Sequence, residues 1–525
     1  MKILIADQVE KICSDVFEQA GFSVVNKPGM QEAELTGIIG EFDGLVVRSG
    51  IKVTKDVIAK GKNLKIIGRA GAGVDNIDSD AATRRGIIVM NTPGGNTVSA
   101  AEHTMSMLLS LARNIPQAHA SMREGKWERK KFVGTELQGK TIGILGLGKI
   151  GREVALRCQS FGMSVLAYDP VLATDVAAKL NIELASIPDV LRSSDFMTVH
   201  TPLTDETRHL LSDKEFAQCK PGMRLVNCAR GGIVDEAALI RALDAGQLAA
   251  AAIDVFENEP PTESPLLRHD RVIVTPHLGA STEDAQERVA QQIATQMVDF
   301  FSGRSIVGAV NAEVVQLAMK KELRPFVLLA EKLGKLHACF LTGQLQKLTV
   351  EVRGGLLRDG SELITAAVLK GLFGHVLSEP VNLVNARMIA LETGINVEER
   401  RESEDANYVH SISVTFETKE STRKIGGTVF ADQHLRLTEI DEFSVEINPE
   451  GCLLLYKNID RPGVLAKVTS LLAASGINIA SVALGRNKPG DTALALITLD
   501  SPLLEPVREA LGKLDGIVDV RTAQF

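Results

Sequence analysis

The first hundred residues alternate short apolar runs with segments of helical periodicity. Strand-like runs lie at residues 2–7 (KILIAD), 44–49 (GLVVRS), 64–70 (LKIIGRA) and 86–91 (GIIVMN). The last two runs abut turns rich in Gly, Pro or Asn, and a helical pattern follows each turn. This order is typical of βαβ units, in which parallel strands form a buried sheet. The pattern therefore predicts an α/β domain at the start of the chain.

The pattern changes twice further along the chain. A long helix is predicted at about 97–124, and a second strand–helix series begins at 139–158 (GKTIGILGLGKIGREVALRC). Helical stretches and alternating strands fill residues 316–450, which carry no catalytic motif. From residue 452 onward the chain follows the βαββαβ order of a small ferredoxin-like module. We expect a second α/β domain placed after, or inserted into, the first, and then two α+β units.

Composition narrows the class of protein. The chain has 525 residues, which is too long for one core of ordinary size. Its net charge of −8, without a long basic run, argues against a nucleic-acid partner. No apolar stretch approaches the roughly 18 residues of a membrane span, and the N-terminus lacks the features of a signal or transit peptide. Six scattered cysteines without a CxxC pair predict a reducing cytoplasm, no disulfide framework and no metal site.

A glycine pattern in the second series predicts a dinucleotide site. Gly146, Gly148 and Gly151 form G-x-G-x-x-G directly after the strand TIGILGL. Such glycines allow a tight turn, close approach of a pyrophosphate to the backbone, and close packing of the following helix. The next strand ends in Asp169, whose carboxylate can accept hydrogen bonds from the adenosine ribose and would repel the extra phosphate of NADP. The sequence therefore predicts NAD as the cofactor.

Three polar residues follow consecutive strands of this domain. Arg230 lies after one strand and before a Gly-Gly turn, Glu259 lies in a proline-bounded loop, and His277 lies in TPHLGAST. In an open parallel sheet, ligands bind at the carboxyl ends of the strands. A guanidinium that holds a carboxylate, a histidine base and a carboxylate that orients it are the groups that oxidation of a 2-hydroxy acid needs. Each residue alone could be a surface or loop residue, but their shared placement predicts a catalytic set.

These segments resemble the D-2-hydroxyacid dehydrogenases over roughly residues 1–315. The matching motifs are GILGLGKIGREVA, VHTPLTDETRHLL, NCARGGIVDEAAL, AIDVFENEPP and TPHLGAST, in the family's order. The resemblance implies that Arg230 binds the substrate carboxylate, that His277 is the acid/base and that Glu259 is its partner. It implies a substrate domain of residues 1–97 plus 283–315, with a Rossmann domain of residues 98–282 inserted in it. The implied cofactor contacts are Gly146, Gly148, Lys149, Ile150, Gly151, Asp169, Thr201, Cys228, Ala229, Asp254, Gly279 and Ala280.

Within that family, three further motifs resemble the 3-phosphoglycerate dehydrogenases. They are GRAGAGVDNID, NTPGGNT and GKWERKKFVG (125–134). The resemblance implies that Arg48, Arg69 and Asn96 face the substrate. It also implies that the basic loop with Arg129 and Lys131 reaches the phosphate, from a neighbouring subunit if the chain is an oligomer. From spacing alone, that loop is a solvated charge run. Relatives often carry Thr in place of Ala72, which puts one cofactor contact in doubt.

The C-terminal module resembles an ACT domain. The stretch NIDRPGVLAKVTSLLAASGINIASVALGR (458–486) shows the strand, DRPG turn and helix that open this module. Asn458, Asp460 and Asn478 are the implied binders of an amino acid, with L-serine the expected effector across a pair of modules. The alternative is a dimerisation module without a ligand. The resemblance implies an intervening domain at 316–450, sometimes called the allosteric substrate-binding domain, and an ACT domain at 452–525.

The whole chain therefore predicts an α/β fold with a flavodoxin-like substrate domain, an inserted Rossmann domain, an α+β intervening domain and a ferredoxin-like ACT domain. The implied reaction is the NAD-dependent oxidation of 3-phospho-D-glycerate, the first step of serine synthesis, by a cytoplasmic homodimer or homotetramer. Two alternatives stay open: a reductase of glyoxylate or hydroxypyruvate, and an NAD-sensing binding protein like the C-terminal binding corepressors. Neither alternative needs the last 200 residues.

Overall fold

Four β-sheets organise the chain, and helices pack against each of them. The computed structural model describes residues 1–318, 320–341, 343–377, 380–402, 407–431 and 433–525. Within those ranges, no helix has both the length and the apolar character needed to cross a bilayer.

The first sheet has five parallel strands in the order β2-β1-β3-β4-β5, which is the flavodoxin-like order. The sequence predicted four of these strands. The strand that was not predicted is β2, which lies half-exposed at the edge of the sheet and pairs with β1. In chain order the elements are β1 (Lys2–Ile5), α1 (Ile12–Gln19), β2 (Ser23–Asn26), α2 (Glu32–Ile38), β3 (Gly44–Val47), α3 (Lys55–Lys60), β4 (Ile66–Arg69), α4 (Ser79–Arg84) and β5 (Ile88–Met90), with a short 3-10 helix at Ile39–Glu41.

The second sheet has seven parallel strands in the order β12-β11-β10-β9-β6-β7-β8. All strands run the same way, but the order in which they are added to the sheet reverses between β6 and β9, and a crevice for a ligand forms at such a switch point. The elements are α5 (Thr97–Arg113), α6 (Ile115–Arg123), β6 (Thr141–Leu145), α7 (Lys149–Ser160), β7 (Ser164–Tyr168), α8 (Thr174–Lys179), β8 (Glu183–Leu184), α9 (Ile187–Ser193), β9 (Phe196–Val199), α10 (Asp213–Phe216), β10 (Met223–Asn227), α11 (Glu236–Asp244), β11 (Leu248–Ile253) and β12 (Val272–Val274), with 3-10 helices at Arg129–Phe132 and Pro265–Arg268.

The single helix predicted at 97–124 is wrong. Two helices, α5 and α6, meet at Asn114, which has a left-handed φ of +52° and ends α5. Pro116 lies in the first turn of α6, where its missing N–H needs no acceptor. The residue before a proline disfavours the helical conformation, so this boundary could have been inferred from the Asn-Ile-Pro triplet.

The helix α12 (Glu283–Phe301) returns the chain to the first sheet. Its buried Ile293 and Met297 lie against Gly68 of β4, where a Cβ atom would stand 2.4 Å from the Met297 sulfur. Glycine at this position therefore allows the helix to pack close to the strand. The short helix α13 (Glu313–Leu317) follows.

The third sheet has six strands in the order β14-β13-β15-β16-β17-β18, with only the β13–β14 pair parallel. Two long apolar helices, α14 and α16, cover it and form a continuous core with it. The elements are α14 (Arg324–Phe340), β13 (Leu345–Arg353), α15 (Gly355–Asp359), α16 (Ser361–Val376), α17 (Ala386–Glu392), β14 (Asn396–Glu402), β15 (Ser411–Thr418), β16 (Thr422–Phe430), β17 (His434–Ile440) and β18 (Phe443–Ile447).

The fourth sheet is antiparallel, in the order β20-β21-β19-β22, and confirms the predicted βαββαβ module. One face packs against its own two helices, and the other adds Leu453, Leu455 and Leu496 to the core of the third sheet. The elements are β19 (Cys452–Ile459), α18 (Val464–Ala474), β20 (Ile479–Arg486), β21 (Thr492–Leu499), α19 (Glu505–Gly512) and β22 (Ile517–Gln524).

Candidate active site

The glycine-rich turn joins β6 to α7 and needs glycine at two positions. Gly146 has a φ of +97°, and a Cβ there would lie 2.7 Å from the His200 carbonyl oxygen. A Cβ on Gly151 would lie 2.1 Å from the Gly146 carbonyl oxygen. Gly148 precedes α7 without a side-chain cap, and the space at its Cβ position is open. The first N–H groups of α7 are therefore free to meet a phosphate.

Asp169 and Thr201 lie beside this turn. Asp169 follows β7 and accepts hydrogen bonds from the backbone N–H groups of Leu147 (2.8 Å), Val171 and Leu172 (both 2.9 Å). Burial works against its charge, but these three donors outweigh it and lower the pKa of Asp169. The Thr201 hydroxyl is buried without a hydrogen-bond partner among the described residues. A dinucleotide with a hydroxylated ribose and a diphosphate fits this combination of carboxylate, open hydroxyl and free N–H groups.

Other expected cofactor residues lie around the same crevice. Lys149 begins α7 and donates to the Pro93 carbonyl oxygen at 3.1 Å, which ties the turn to the first domain. Ile150 packs into the core behind α7. Cys228 and Ala229 follow β10; burial, and then nearby Asp254, raise the pKa of the Cys228 thiol, which stays protonated.

His277 and Glu259 form a hydrogen-bonded pair. The Nδ1 atom of His277 lies 2.9 Å from Oε2 of Glu259. Burial of Glu259 opposes its charge, but the hydrogen bond and the charge of His277 outweigh burial, so the pKa of Glu259 lies below its ordinary value. Since Nδ1 faces the carboxylate, Nε2 is left to meet a substrate.

Asp254 holds the turn that carries His277. It follows β11 and is fully buried. Its carboxylate accepts hydrogen bonds from the Thr275 hydroxyl at 2.6 Å and from the N–H groups of Leu278 (2.8 Å) and Gly279 (3.0 Å). Its carbonyl oxygen accepts the His277 N–H at 2.9 Å. His277 has a φ of +54°, an uncommon value for a residue other than glycine, and Asp254 supplies bonds that maintain it.

His103 completes this network and was not predicted from the sequence. Its Nε2 lies 3.1 Å from Oδ1 of Asp254 and 3.3 Å from the Thr275 hydroxyl. His103 belongs to α5, far from the catalytic motifs in sequence. Only the packing of α5 on β10 and β11 brings it to Asp254, and periodicity alone gives no sign of that contact.

Three arginines cluster where the first and second sheets face each other. Arg69 ends β4, and its buried Nε has no hydrogen-bond partner in the described part of the chain. Burial, and then repulsion from Arg230 and Arg48, lower the pKa of Arg69 to about 10. Arg230 reaches across to the first domain, where its Nε donates to Asp75 at 3.0 Å. Positive charges held this close favour an anionic ligand.

A cavity of about 600 Å³ is lined by two of these arginines, Arg48 and Arg69. It brings together six of the expected site residues, which are Arg48, Arg69, Asn96, Glu259, His277 and Ala280. It does not include Arg129 or Lys131, which lie on the exposed 3-10 helix at Arg129–Phe132.

The expected effector residues of the fourth sheet do not meet within one chain. Asn458 at the end of β19 pairs with Ala493, which in turn pairs with Arg486 at the end of β20. Asn478 precedes the start of β20, so it lies at the opposite edge of the sheet, about 25 Å away at the usual strand rise. Asp460 follows β19 and accepts a hydrogen bond from the Gly490 N–H at 3.2 Å. A site that uses both edges therefore needs a second copy of the module.

Comparison with known proteins supports the same architecture. Residues 105–279 match the family model of the D-isomer specific 2-hydroxyacid dehydrogenase, NAD binding domain. Residues 322–441 match the D-3-phosphoglycerate dehydrogenase intervening domain, and residues 453–516 match the ACT domain. A D-lactate dehydrogenase from Aquifex aeolicus, solved with NAD and lactic acid, is 27% identical and covers 58% of this chain and 96% of its own, with a TM-score of 0.53.

The fold and the cavity define a D-isomer specific 2-hydroxyacid dehydrogenase that uses NAD. Relatives similar over the full length narrow this class. The D-3-phosphoglycerate dehydrogenase of Archaeoglobus fulgidus is 44% identical over 99% of both chains, and that of Methanocaldococcus jannaschii is 43% identical over 99% of both. The human D-3-phosphoglycerate dehydrogenase is 49% identical over 75% of this chain and 74% of its own. The chain belongs to the D-3-phosphoglycerate dehydrogenase family, and the predicted family, fold class and cofactor are confirmed.

Proposed function

We propose that this chain catalyses the NAD-dependent oxidation of 3-phospho-D-glycerate to 3-phosphohydroxypyruvate, the first step of L-serine synthesis. The observation that carries this proposal is the His277–Glu259 pair, 2.9 Å apart, on the wall of a cavity that also holds two arginines, with Arg230 beside it. A base and a cluster of cations suit a hydroxy acid with two anionic groups.

In this mechanism His277 takes the proton of the C2 hydroxyl on Nε2. Glu259 keeps Nδ1 occupied, orients the ring and favours the imidazolium that forms. The residues of the glycine-rich turn and Asp169 would hold NAD, which would supply the hydride acceptor for C2 as the C2–O bond becomes a carbonyl. Arg230 follows β10 and holds the substrate carboxylate, which places C2 between the base and the cofactor crevice.

Arg48 and Arg69 hold the rest of the anion from the first domain. Asp7 keeps the Arg48 loop in place, because its carboxylate accepts the N–H of Arg48 at 3.0 Å and that of Gly50 at 2.7 Å. Asn96 lines the same wall at the start of α5. Two domains thus contribute to one site, and a phosphorylated acid is long enough to engage both.

The test is NADH consumption with 3-phosphohydroxypyruvate, beside hydroxypyruvate and glyoxylate. We expect fast turnover of the phosphorylated acid alone, and a loss of about a hundredfold or more in His277→Ala. His434→Ala, at an exposed position of β17, is the matched control and retains wild-type turnover. Equal rates with the unphosphorylated acids would make the chain a general 2-keto acid reductase, and near-normal turnover of His277→Ala would remove it as the base.

We also propose a homo-oligomer in which the 3-10 helix at Arg129–Phe132 faces the active site of a neighbouring subunit. Large apolar side chains flank this helix and are mostly exposed in a single chain, with Trp127 at 75% and Val133 at 78%. Burial of this surface against a second copy would bring Arg129 and Lys131 to a substrate phosphate. Light scattering measures the mass, and a monomer with full activity would contradict the proposal.

L-serine is the proposed effector, bound between two copies of the ACT module. The 25 Å separation of Asn458 and Asn478 expected from strand rise supports a shared site. Asp460→Ala should abolish inhibition by serine and leave uninhibited turnover unchanged, whereas Asp519→Ala on β22 should keep both. Inhibition that persists in Asp460→Ala would place the effector elsewhere. We propose a cytoplasmic location, which agrees with six cysteines that are all free.

A further inference from the structure

A second, larger cleft of about 840 Å³ lies between the first domain and the α14–β18 unit. On the side of the first domain it is lined by the residues that precede or begin β3, β4 and β5, including Asp43, Lys65 and Ile88. Lys370 of α16 and the segment 382–384 line the other side. The cleft thus lies at the amino ends of strands whose carboxyl ends bear Arg48 and Arg69.

The strand β4 separates this cleft from the catalytic cavity. Lys65 precedes β4 and Arg69 ends it, which corresponds to about 13 Å at the rise of a parallel strand. A ligand in the cleft therefore does not overlap the substrate.

Direct contacts hold the two walls of the cleft together. Asn382 donates a hydrogen bond to the Gly86 carbonyl oxygen at 2.8 Å, and Asn385 donates to the Arg84 carbonyl oxygen at 3.2 Å. Gly86 has a φ of +67°, and a Cβ there would lie 2.2 Å from the Asn382 amide nitrogen. Arg84 also pairs with Glu392 of α17 at 2.6 Å. These contacts within the chain hold the two walls of the cleft in place.

The cleft carries an excess of positive charge in a chain whose net charge is −8. Five basic residues line it, against one acidic residue, Asp43; the basic residues are Lys62, Lys65, Arg84, Arg85 and Lys370. Acidic partners exist for three of them: Asp43 for Lys65, Glu392 for Arg84 and Glu331 for Lys370.

The other two basic groups, Arg85 and Lys62, have no acidic partner among the described residues. Within that part of the chain, Arg85 donates to the Ala59 carbonyl oxygen alone, at 2.9 Å. Both basic groups belong to the first domain, and both line the cleft opposite Lys370.

The floor of the cleft is apolar. Leu64 and Ile88 are buried, and Phe300, Val315 and Leu383 are half-buried around it. A simple inorganic anion would satisfy the cations but leave this surface in contact with water. A ligand with both anionic groups and an apolar body would satisfy both.

We propose that this cleft binds an organic anion with at least two negative charges, as carboxylates or as a phosphate, on an apolar body. Lys62 and Arg85 hold its charged end, and Lys370 contacts it from the other domain. Such a ligand bridges the catalytic and C-terminal halves of the chain without entering the catalytic cavity. The proposal for this cleft does not depend on which reaction the catalytic cavity performs.

The test is calorimetric titration of the full chain, saturated with NADH, with phthalate and separately with phenyl phosphate. We expect Lys62→Gln/Arg85→Gln to bind the preferred probe about tenfold or more weakly, because two charged hydrogen bonds are lost. Lys62→Gln alone removes an exposed charge that has no acidic partner among the described residues, and it should weaken binding severalfold with no effect on folding. Lys55→Gln on α3, outside the cleft, is the matched control and should bind as wild type does.

Arg230→Gln separates this site from the catalytic one. Binding that survives in Arg230→Gln and is lost in Lys62→Gln/Arg85→Gln supports the proposal, and the probe that binds identifies carboxylate or phosphate as the acidic group. Wild-type affinity in Lys62→Gln/Arg85→Gln would overturn it. So would the loss of all binding in Arg230→Gln, since both probes would then occupy only the catalytic cavity.

Discussion

Asp254→Asn tests whether the turn that carries His277 depends on one buried carboxylate. The substitution keeps the size of the side chain and replaces one oxygen with an NH2 group. Oδ1 accepts from the Thr275 hydroxyl and the Leu278 N–H and also lies 3.1 Å from His103, whereas Oδ2 accepts from the Gly279 N–H. An asparagine keeps more bonds with its oxygen at the Oδ1 position, so its NH2 group then faces the Gly279 N–H.

The magnitude follows from these contacts. A buried hydrogen bond to a charged group contributes about 1.5–3 kcal/mol, and an unsatisfied buried donor adds a penalty. We therefore expect the free energy of unfolding to fall by about 3 kcal/mol, since one such bond is lost and the others become bonds to a neutral acceptor. A shift of about 1 Å in the turn would lower kcat by about a hundredfold, because the reacting atoms lose their alignment.

The pH dependence gives a second signature. Burial acts to raise the pKa of Asp254, but the hydrogen bonds from His103, Thr275 and Leu278 outweigh burial, and the pKa is lowered. A lowered pKa means that this carboxylate stabilises the fold above its unfolded pKa of about 3.9 and that the contribution is lost as the pH falls through the folded pKa. The difference in stability between wild type and Asp254→Asn should therefore be full at neutral pH and shrink in acid.

The assays are urea unfolding from pH 7 to pH 3 and NADH consumption with 3-phosphohydroxypyruvate at pH 7. NADH binding, followed by fluorescence, shows whether the cofactor crevice is still formed. A misplaced base would lower kcat by far more than about threefold. If Asp254→Asn keeps the unfolding midpoint of wild type and a kcat within about threefold of it, other contacts hold the turn and Asp254 does not have this role.

Three further substitutions test the cofactor turn, the base and the cationic wall. Gly151→Ala should weaken NADH binding and lower the Tm, measured by titration and calorimetry, because its Cβ would stand 2.1 Å from the Gly146 carbonyl oxygen; wild-type affinity would contradict this. Glu259→Gln should lower kcat by roughly tenfold or more. Burial acts to raise the pKa of Glu259, but His277 outweighs burial and lowers it. The difference in kcat between wild type and Glu259→Gln should therefore narrow in acid, where Glu259 of the wild type becomes protonated. Arg69→Gln should raise KM for the phosphorylated acid by about tenfold and change that for hydroxypyruvate less; equal effects on both acids would place Arg69 on the carboxylate.

The sequence predicted most strands and the site segments for one physical reason. Buried parallel strands are continuous apolar runs, and polar residues directly after them lie at one edge of the sheet. This reasoning placed Arg230, Glu259 and His277 at the ends of β10, β11 and β12, where the structure has them. It missed the edge strand β2, because the half-exposed SVVN run of this strand lacks the continuous apolar pattern of a buried strand.

Contacts between distant segments could not be predicted in this way. His103 reaches Asp254 only because α5 packs on β10 and β11, and the cleft that contains Lys62 and Lys370 exists only because the segment 382–385 binds to the first domain. Periodicity reports which face of an element is buried but not which element covers it. The helical pattern likewise predicted one helix that continues past Asn114, whereas the left-handed conformation of Asn114 ends α5 there.

The arginine cluster explains which ligand the catalytic cavity prefers. Arg69 is half-buried, its buried Nε has no partner among the residues described, and repulsion from Arg230 and Arg48 adds to burial in lowering its pKa to about 10. Asp75 and Asp7 favour its charge but do not offset burial and the two neighbouring guanidinium groups, so a further anion at Arg69 is favoured. Asp75 forms an ion pair with Arg230 at 3.0 Å, but because its side chain is largely exposed, the pair offsets little of the repulsion between the arginines. An anion that contacts the three guanidinium groups reduces this repulsion, so the geometry favours a ligand with two acidic groups over one with a single carboxylate.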